Sequence, residues 1–143
     1  MCDQCDYLNL LEDSGLGHTP NRLRVLEIIG DSRHPLSALE VVEKLNQVQS
    51  VNRVTVYRIL DLLVEKQLVE RISSGDRSFR YGLAPNDNHL PHSHFYCKTC
   101  GIMECLDPGS ARLNLNSMER EFLGLIERIE VRFDGVCEAC RGR

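Results

Sequence analysis

The chain has 143 residues, 42% of them hydrophobic, which suits one ordinary domain or two small ones and argues against a disordered chain. No run approaches the roughly 18 apolar residues of a membrane span. The start, MCDQCDYLNLLED, lacks the basic-then-apolar pattern of a secretory signal, so a cytoplasmic protein with no membrane partner is expected. The net charge of −4 argues against nucleic-acid binding by bulk charge, but residues 19–80 hold ten basic against eight acidic side chains and are the one net-positive stretch.

Thr19-Pro20 opens a first predicted helix, a capping residue followed by proline at the first helical position. Leu23, Leu26 and Ile29 recur along it until Gly30, and Asp31 to Pro35 reads as a loop. Ser37 and Glu40 have capping-box spacing ahead of Val41, Val42 and Leu45. A third helix begins near Asn52, with Val56, Ile59, Leu60 and Leu63 inward and Arg53, Tyr57 and Asp61 outward. Residues 68–72 and 78–81 then alternate around a Ser-Ser-Gly-Asp turn and predict a β-hairpin. Three helices followed by a hairpin is the order of a winged helix, whose third helix enters the major groove. Ala84 to Asn88 is polar and contains proline, which suits a hinge at about 83–89. Strands are expected at 93–97 and 102–106, a helix from about Ser110 to Leu125, and a last strand from Ile129 to Phe133. The expected fold is α+β: a winged helix-turn-helix domain over 1–84 and a C-terminal α/β dimerisation domain over 85–143.

Six of the seven cysteines form Cys-x-x-Cys pairs, and in a reducing compartment such pairs point to metal rather than disulfides. Cys97/Cys100 and Cys137/Cys140 together supply the four thiolates of a closed tetrahedral zinc site. The 36 residues between them leave room for elements that return the second pair to the first. A redox pair would open a helix in a βαβ context, whereas each of these pairs is expected beside a strand. Cys2/Cys5 has no obvious second pair. It reads either as a terminus that happens to carry two thiols or as a labile or intermolecular metal site.

Five segments resemble the ferric uptake regulator family of metalloregulators: HTPNRLRVLEII (18–29), HPLSALEVVEKL (34–45), VNRVTVYRILDLLVEKQLVERI (51–72), HSHFYCKTCG (92–101) and GVCEAC (135–140). The resemblance implies a homodimeric repressor that binds a palindromic operator in double-stranded DNA when a regulatory metal is bound. It maps DNA contacts to Tyr57, Arg58 and neighbouring Thr55 on the recognition helix, and to Arg22. The residues agree, because tyrosine can meet a thymine methyl and Arg58 or Arg53 can pair with guanine edges or phosphates. Core packing is the competing reading of Tyr57, and a solvated charge that of any one arginine.

His92 and His94 match regulatory-metal ligands of the family, and their i, i+2 spacing on a strand would aim both imidazoles at one face. Other family ligand positions depart here. Gly82 stands where the wing often offers an acid or a cysteine, Pro35 where a histidine is common (with His34 one place earlier), and Cys105 where an acid is usual. Pro91, Ser93 and Ile129 suggest that a secondary site is lost. Glu70, His89 and Cys105 are the candidate substitutes, two of them completing the His92/His94 site. Imidazoles with a thiolate or carboxylate favour Zn²⁺, then Fe²⁺.

An enzyme is not expected. A zinc deaminase needs His-x-Glu and an open metal position, whereas His92-Ser93-His94 has no acid and four cysteines close the site. No small-molecule substrate is implied. Peroxide sensing within the same family and a constitutive DNA-binding module with structural zinc are the alternative functions.

Overall fold

In the computed structural model residues 5–142 are described, so Cys2 of the N-terminal pair lies outside them. A helix that the sequence did not announce comes first, α1 (Tyr7–Asp13). Asp6 caps it by accepting from the Asn9 N–H, and Leu11 is fully buried in the core of the helices that follow. Seven residues are too few for helix propensity to sustain alone. Burial of Leu11 stabilises the helix, and that partner surface is distant in sequence.

The next three helices form as expected: α2 (Pro20–Asp31), α3 (Ala38–Asn46) and α4 (Arg53–Glu65). Thr19 Oγ1 accepts from the Arg22 N–H at 3.2 Å, which caps α2. The Ser37/Glu40 box closes in both directions at 3.1 Å, and Asn52 caps α4 by accepting from the Val54 N–H at 2.7 Å. The buried stripes are Val25, Leu26 and Ile29 on α2, Val41, Val42 and Leu45 on α3, and Val56, Ile59, Leu60 and Leu63 on α4. Leu23 lies at the margin of its stripe and is only partly buried.

Strands β1 (Val69–Ser73) and β2 (Phe79–Leu83) pair antiparallel from Val69↔Leu83 to Ser73↔Phe79. Leu36 adds a bridge to this wing, accepting from Tyr81 N–H at 2.7 Å and donating back at 3.0 Å. That bridge fixes the loop between α2 and α3 against the hairpin. At the wing tip Ser74 and Ser78 converge on the Asp76 carboxylate and hold its carboxyl far below the usual range.

The C-terminal part is a three-stranded sheet in the order β4-β3-β5, with β3 (His94–Cys97), β4 (Met103–Cys105) and β5 (Arg132–Gly135). β4 runs antiparallel and β5 parallel to β3. A short α6 (Glu138–Arg141) ends the described chain. A small core of Ile72, Tyr96 and Met103 packs the wing on this sheet.

Three sequence expectations need correction. The strand expected from residue 93 starts at His94, so His92 precedes it and the pair does not share a strand. The last strand lies at Arg132–Gly135, a shift toward the C-terminus from the expected 129–133. The helix expected over 110–125 shortens to α5 (Asn116–Glu121), which buries no residue. The apolar side chains that flank it are not buried in this chain: Leu113, Phe122, Leu123 and Leu125 are all exposed. Without a surface to bury them a longer helix has little to hold it. No helix among the described residues is long and apolar enough to cross a membrane.

Candidate metal centres and nucleic-acid face

The parallel β3–β5 pairing explains how two distant cysteine pairs meet. It sets Gly135 opposite Cys97, so Cys137 arrives two residues later beside the first pair. Gly101, at φ 79°, turns the chain after Cys100, and its N–H returns to Cys97 O at 2.9 Å. The second pair lies beside a strand as expected, two residues after β5, and it also opens a helical turn: Cys137 is the N-cap of α6 and Cys140 lies within it. The four sulfurs lie within 4.8 Å of one another, with Cys100 and Cys137 at 3.8 Å. A tetrahedron with Zn–S bonds of about 2.3 Å has S···S edges of roughly 3.8 Å, so the donor set fits zinc.

The electrostatics agree. Backbone N–H groups of Cys100 and Cys137 donate to the Cys97 sulfur at 3.5 and 3.3 Å and hold its thiol well below the ordinary value. Cys140 is pushed up, because its proton is shared with the Cys137 sulfur and burial resists a further charge. Cys97, Cys100, Cys137 and Cys140 would hold a zinc ion as a closed shell of sulfur, and zinc bound there would supply positive charge and cross-link the two ends of the sheet.

A second cluster lies where the reading head meets the C-terminal sheet. Cys105 sits directly across the β3–β4 ladder from His94. Cross-strand neighbours are about 5 Å apart at Cβ. His92 closes from the preceding segment, its ring centroid 4.8 Å from that of His94. The ligand atoms of His92, His94 and Cys105 all lie within 4.8 Å of one another. His92 Nδ1 is 3.0 Å from Leu90 O, and the tautomer that donates there leaves Nε2 for a metal.

Glu70 and His89 line the same cavity but stand outside that three-residue cluster. Glu70 projects from β1, opposite Gly82, and His89 from a tight turn closed by its bridge to Asn86. The His89 and His92 rings stack edge to face at 5.3 Å. His34 and Gly82 complete the lining from the reading-head side. Burial, then the neighbouring His92, pushes His94 down to about 4, so it offers an uncharged imidazole. Burial also lowers His89 and raises Glu70 and Cys105, so the unliganded pocket resists charge. Cys5 is disulfide-bonded, which corrects the reading of the N-terminal pair as free thiols or a metal site, and its sulfur lies 3.8 Å from Asn86 Nδ2 beside the His89 turn.

On α4, Arg53, Thr55, Tyr57 and Arg58 are all exposed, so Tyr57 is not a core residue. Val54 joins them at 53% exposure and was missed, because an apolar residue among basic ones gives no local indication of its outward placement. Arg22 is half-buried, and its Nη1 donates to Leu16 O at 2.8 Å, which commits part of the guanidinium to the loop before α2.

A winged helix with an exposed basic face, a closed thiolate cluster and a second imidazole–thiolate cluster at its border defines a metal-responsive transcriptional regulator, not an enzyme. A family model described as "Ferric uptake regulator family" matches residues 13–128. The chain is 27% identical over 135 residues to the ferric uptake regulation protein of Bacillus subtilis (strain 168), covering 93% of this chain and 91% of that one. It is also 27% identical over 125 residues to the zinc uptake regulation protein of Escherichia coli (strain K12), covering 85% and 71%. Its fold is similar to that of the Helicobacter pylori ferric uptake regulator, with a TM-score of 0.77 at 18% identity, covering 99% and 97%. A zinc uptake regulator complexed with zinc and DNA matches at TM-score 0.66 and 21% identity, covering 94% and 89%. The chain belongs to the ferric uptake regulator family.

Proposed function

We propose that the protein is a homodimeric repressor that binds a palindromic operator in double-stranded DNA when metal fills the His92/His94/Cys105 site. The convergence of those three ligands with Glu70 and His89 in one cavity is the observation that carries the reading. The cavity is walled by the loop after α2, by the wing and by the C-terminal sheet. A metal there favours the arrangement in which its ligands are together, and so biases the orientation of the reading head. The division falls after Ala84, with residues 1–84 reading DNA and 85–143 dimerising. Tyr57, Arg58, Arg53 and Thr55 face the DNA, and Arg22 assists from α2. Two imidazoles and a thiolate favour Zn²⁺ over Fe²⁺. Similarity to both iron and zinc uptake regulators is compatible with either metal. The Cys97/Cys100/Cys137/Cys140 site holds structural Zn²⁺, and the cytoplasm is the compartment that suits both the thiolates and the DNA.

Titration of zinc and of ferrous iron against operator binding tests this reading. His92→Ala and His94→Ala are expected to keep the thiolate zinc and lose the metal enhancement, which for a coupling of this kind is roughly 5–150-fold. Arg58→Ala is expected to weaken binding at every metal concentration with metal content unchanged. A His92/His94 double variant that responds to metal like the wild type would place the sensor elsewhere.

A further inference from the structure

Residues 128–132, Arg-Ile-Glu-Val-Arg, lead into β5, and their side chains divide by alternation. Ile129 and Val131 line a pocket with Pro91, Ser93 and Ala111. Arg128, Glu130 and Arg132 reach the wing. Arg128 Nη2 donates to Arg71 O. The N–H and the hydroxyl of Ser73 each donate to Glu130 Oε1 at 2.8 Å. Arg132 Nη1 donates to Ser73 O at 3.0 Å and to Ser73 Oγ at 3.1 Å. Three of the wing atoms used (Arg71 O, Ser73 N and Ser73 O) are main-chain atoms, so the row fixes the path of β1 itself. The row is internally braced: Arg128 lies 3.6 Å from Glu130, and Asp134 holds Arg132 at 2.6 Å.

The strand so held carries Glu70, three residues before Ser73, on the reading-head wall of the metal cavity. The sheet that holds it carries His94 on the opposite wall, and Val131 O accepts from the His94 N–H at 3.2 Å. The geometry points to Glu130, flanked by Arg128 and Arg132, as a positioning residue that keeps the wing docked and the hinge cluster assembled before metal arrives. This rests on the hinge-site reading above. A ligand's apparent affinity is its intrinsic affinity scaled by the populated fraction of the competent state. Loss of the row lowers that fraction. Metal affinity and metal-free operator affinity then fall by the same factor, and saturating metal restores operator binding.

The test uses the full-length protein with its thiolate zinc in place, and zinc is titrated into the hinge site against a competing chelator. Glu130→Ala is expected to lose roughly tenfold in apparent zinc affinity, the scale of one net hydrogen bond to a charged group. Operator binding without hinge metal falls in step and recovers at saturating zinc. Glu130→Gln keeps an acceptor for Ser73 and is expected to regain most of the loss. Should Glu130→Ala fail to fold, Ser73→Ala removes the hydroxyl contacts alone and moves both affinities the same way by less. Unchanged zinc affinity in the folded variants, beside a wild type whose hinge site does bind zinc, overturns the role of Glu130. A wild type that takes up no zinc beyond the thiolate cluster overturns the hinge site, and this inference with it.

Discussion

Two backbone N–H groups already point at the Cys97 sulfur, so this residue is prepared as a thiolate by the chain itself. Serine at 97 would offer a harder, shorter donor to a site shaped for sulfur. Cys97→Ser is expected to lose about one zinc per chain and much of the stability of the C-terminal sheet, since structural zinc contributes directly to folding free energy. Metal analysis beside urea unfolding measures both. Full zinc content with a wild-type midpoint would count against a structural role. Cys105→Ser, in the open cluster, is expected to retain the thiolate zinc. At this scale the sequence was read well where ligands come in pairs. Cys-x-x-Cys spacing picked out the four thiols that the fold brings together, and His-x-His picked out two members of the His92/His94/Cys105 cluster. What stayed open was which residues face them. The placement of Cys105 opposite His94 depends on the register of β3 and β4, and the placement of Glu70 and His89 on the rim depends on how the wing docks. Neither is a local property.

Among the elements, the wing shows how two glycines of similar appearance differ. Gly75 lies against the Tyr96 ring, where an added Cβ would stand 2.7 Å from Cε1. Tyr96 belongs to the small core that joins the wing to the sheet. Gly75→Ala is therefore expected to displace that ring and destabilise by about 1–3 kcal/mol, the usual cost of overpacking. At Gly82 an added Cβ meets only the end of Ile72, at 3.4 Å. Gly82→Ala is expected to be neutral or to stabilise by up to about 1 kcal/mol, because glycine in a strand interior is itself a cost. Thermal or urea unfolding of the two variants checks the opposite signs, and equal losses would contradict them. Gly82 thus has no steric necessity, and the structure does not explain why a ligand is missing there. Helices α2 to α4 and the hairpin were legible because caps, stripes and alternation are local. α1 and α5 were not, for opposite reasons. α1 depends on a core that its own sequence cannot reveal, and α5 is short where the flanking Leu113, Phe122, Leu123 and Leu125 stay exposed in the single chain.

At the scale of the whole molecule, that uncovered surface is the strongest indication of assembly. Leu123 is 97% exposed and Leu125 82%, with Leu113, Phe122, Ile129 and Phe133 exposed along the same C-terminal region. Several large apolar side chains exposed in one region mark a candidate interface, and the proposed homodimer supplies a second copy to cover them. Pairing would also lengthen the helix that the lone chain holds only over Asn116–Glu121, because the flanking leucines would then have a surface to enter. Leu123→Glu with Leu125→Glu places two like charges in that interface and is expected to yield a monomer that retains its thiolate zinc, since Cys97, Cys100, Cys137 and Cys140 all come from one chain. Joining two reading heads makes the second contact with DNA intramolecular, and linkage of this kind strengthens binding by roughly 10²–10⁴-fold. The double variant should therefore lose most of its affinity for a two-half-site operator and bind a single half-site about as weakly as one wild-type head does. Light scattering after size exclusion gives the mass, and binding to duplexes with one or two half-sites gives the affinities. A double variant that remains dimeric would show that these leucines lie outside the interface. A monomer that binds the full operator as tightly as the wild type would show that pairing through this face does not serve DNA recognition.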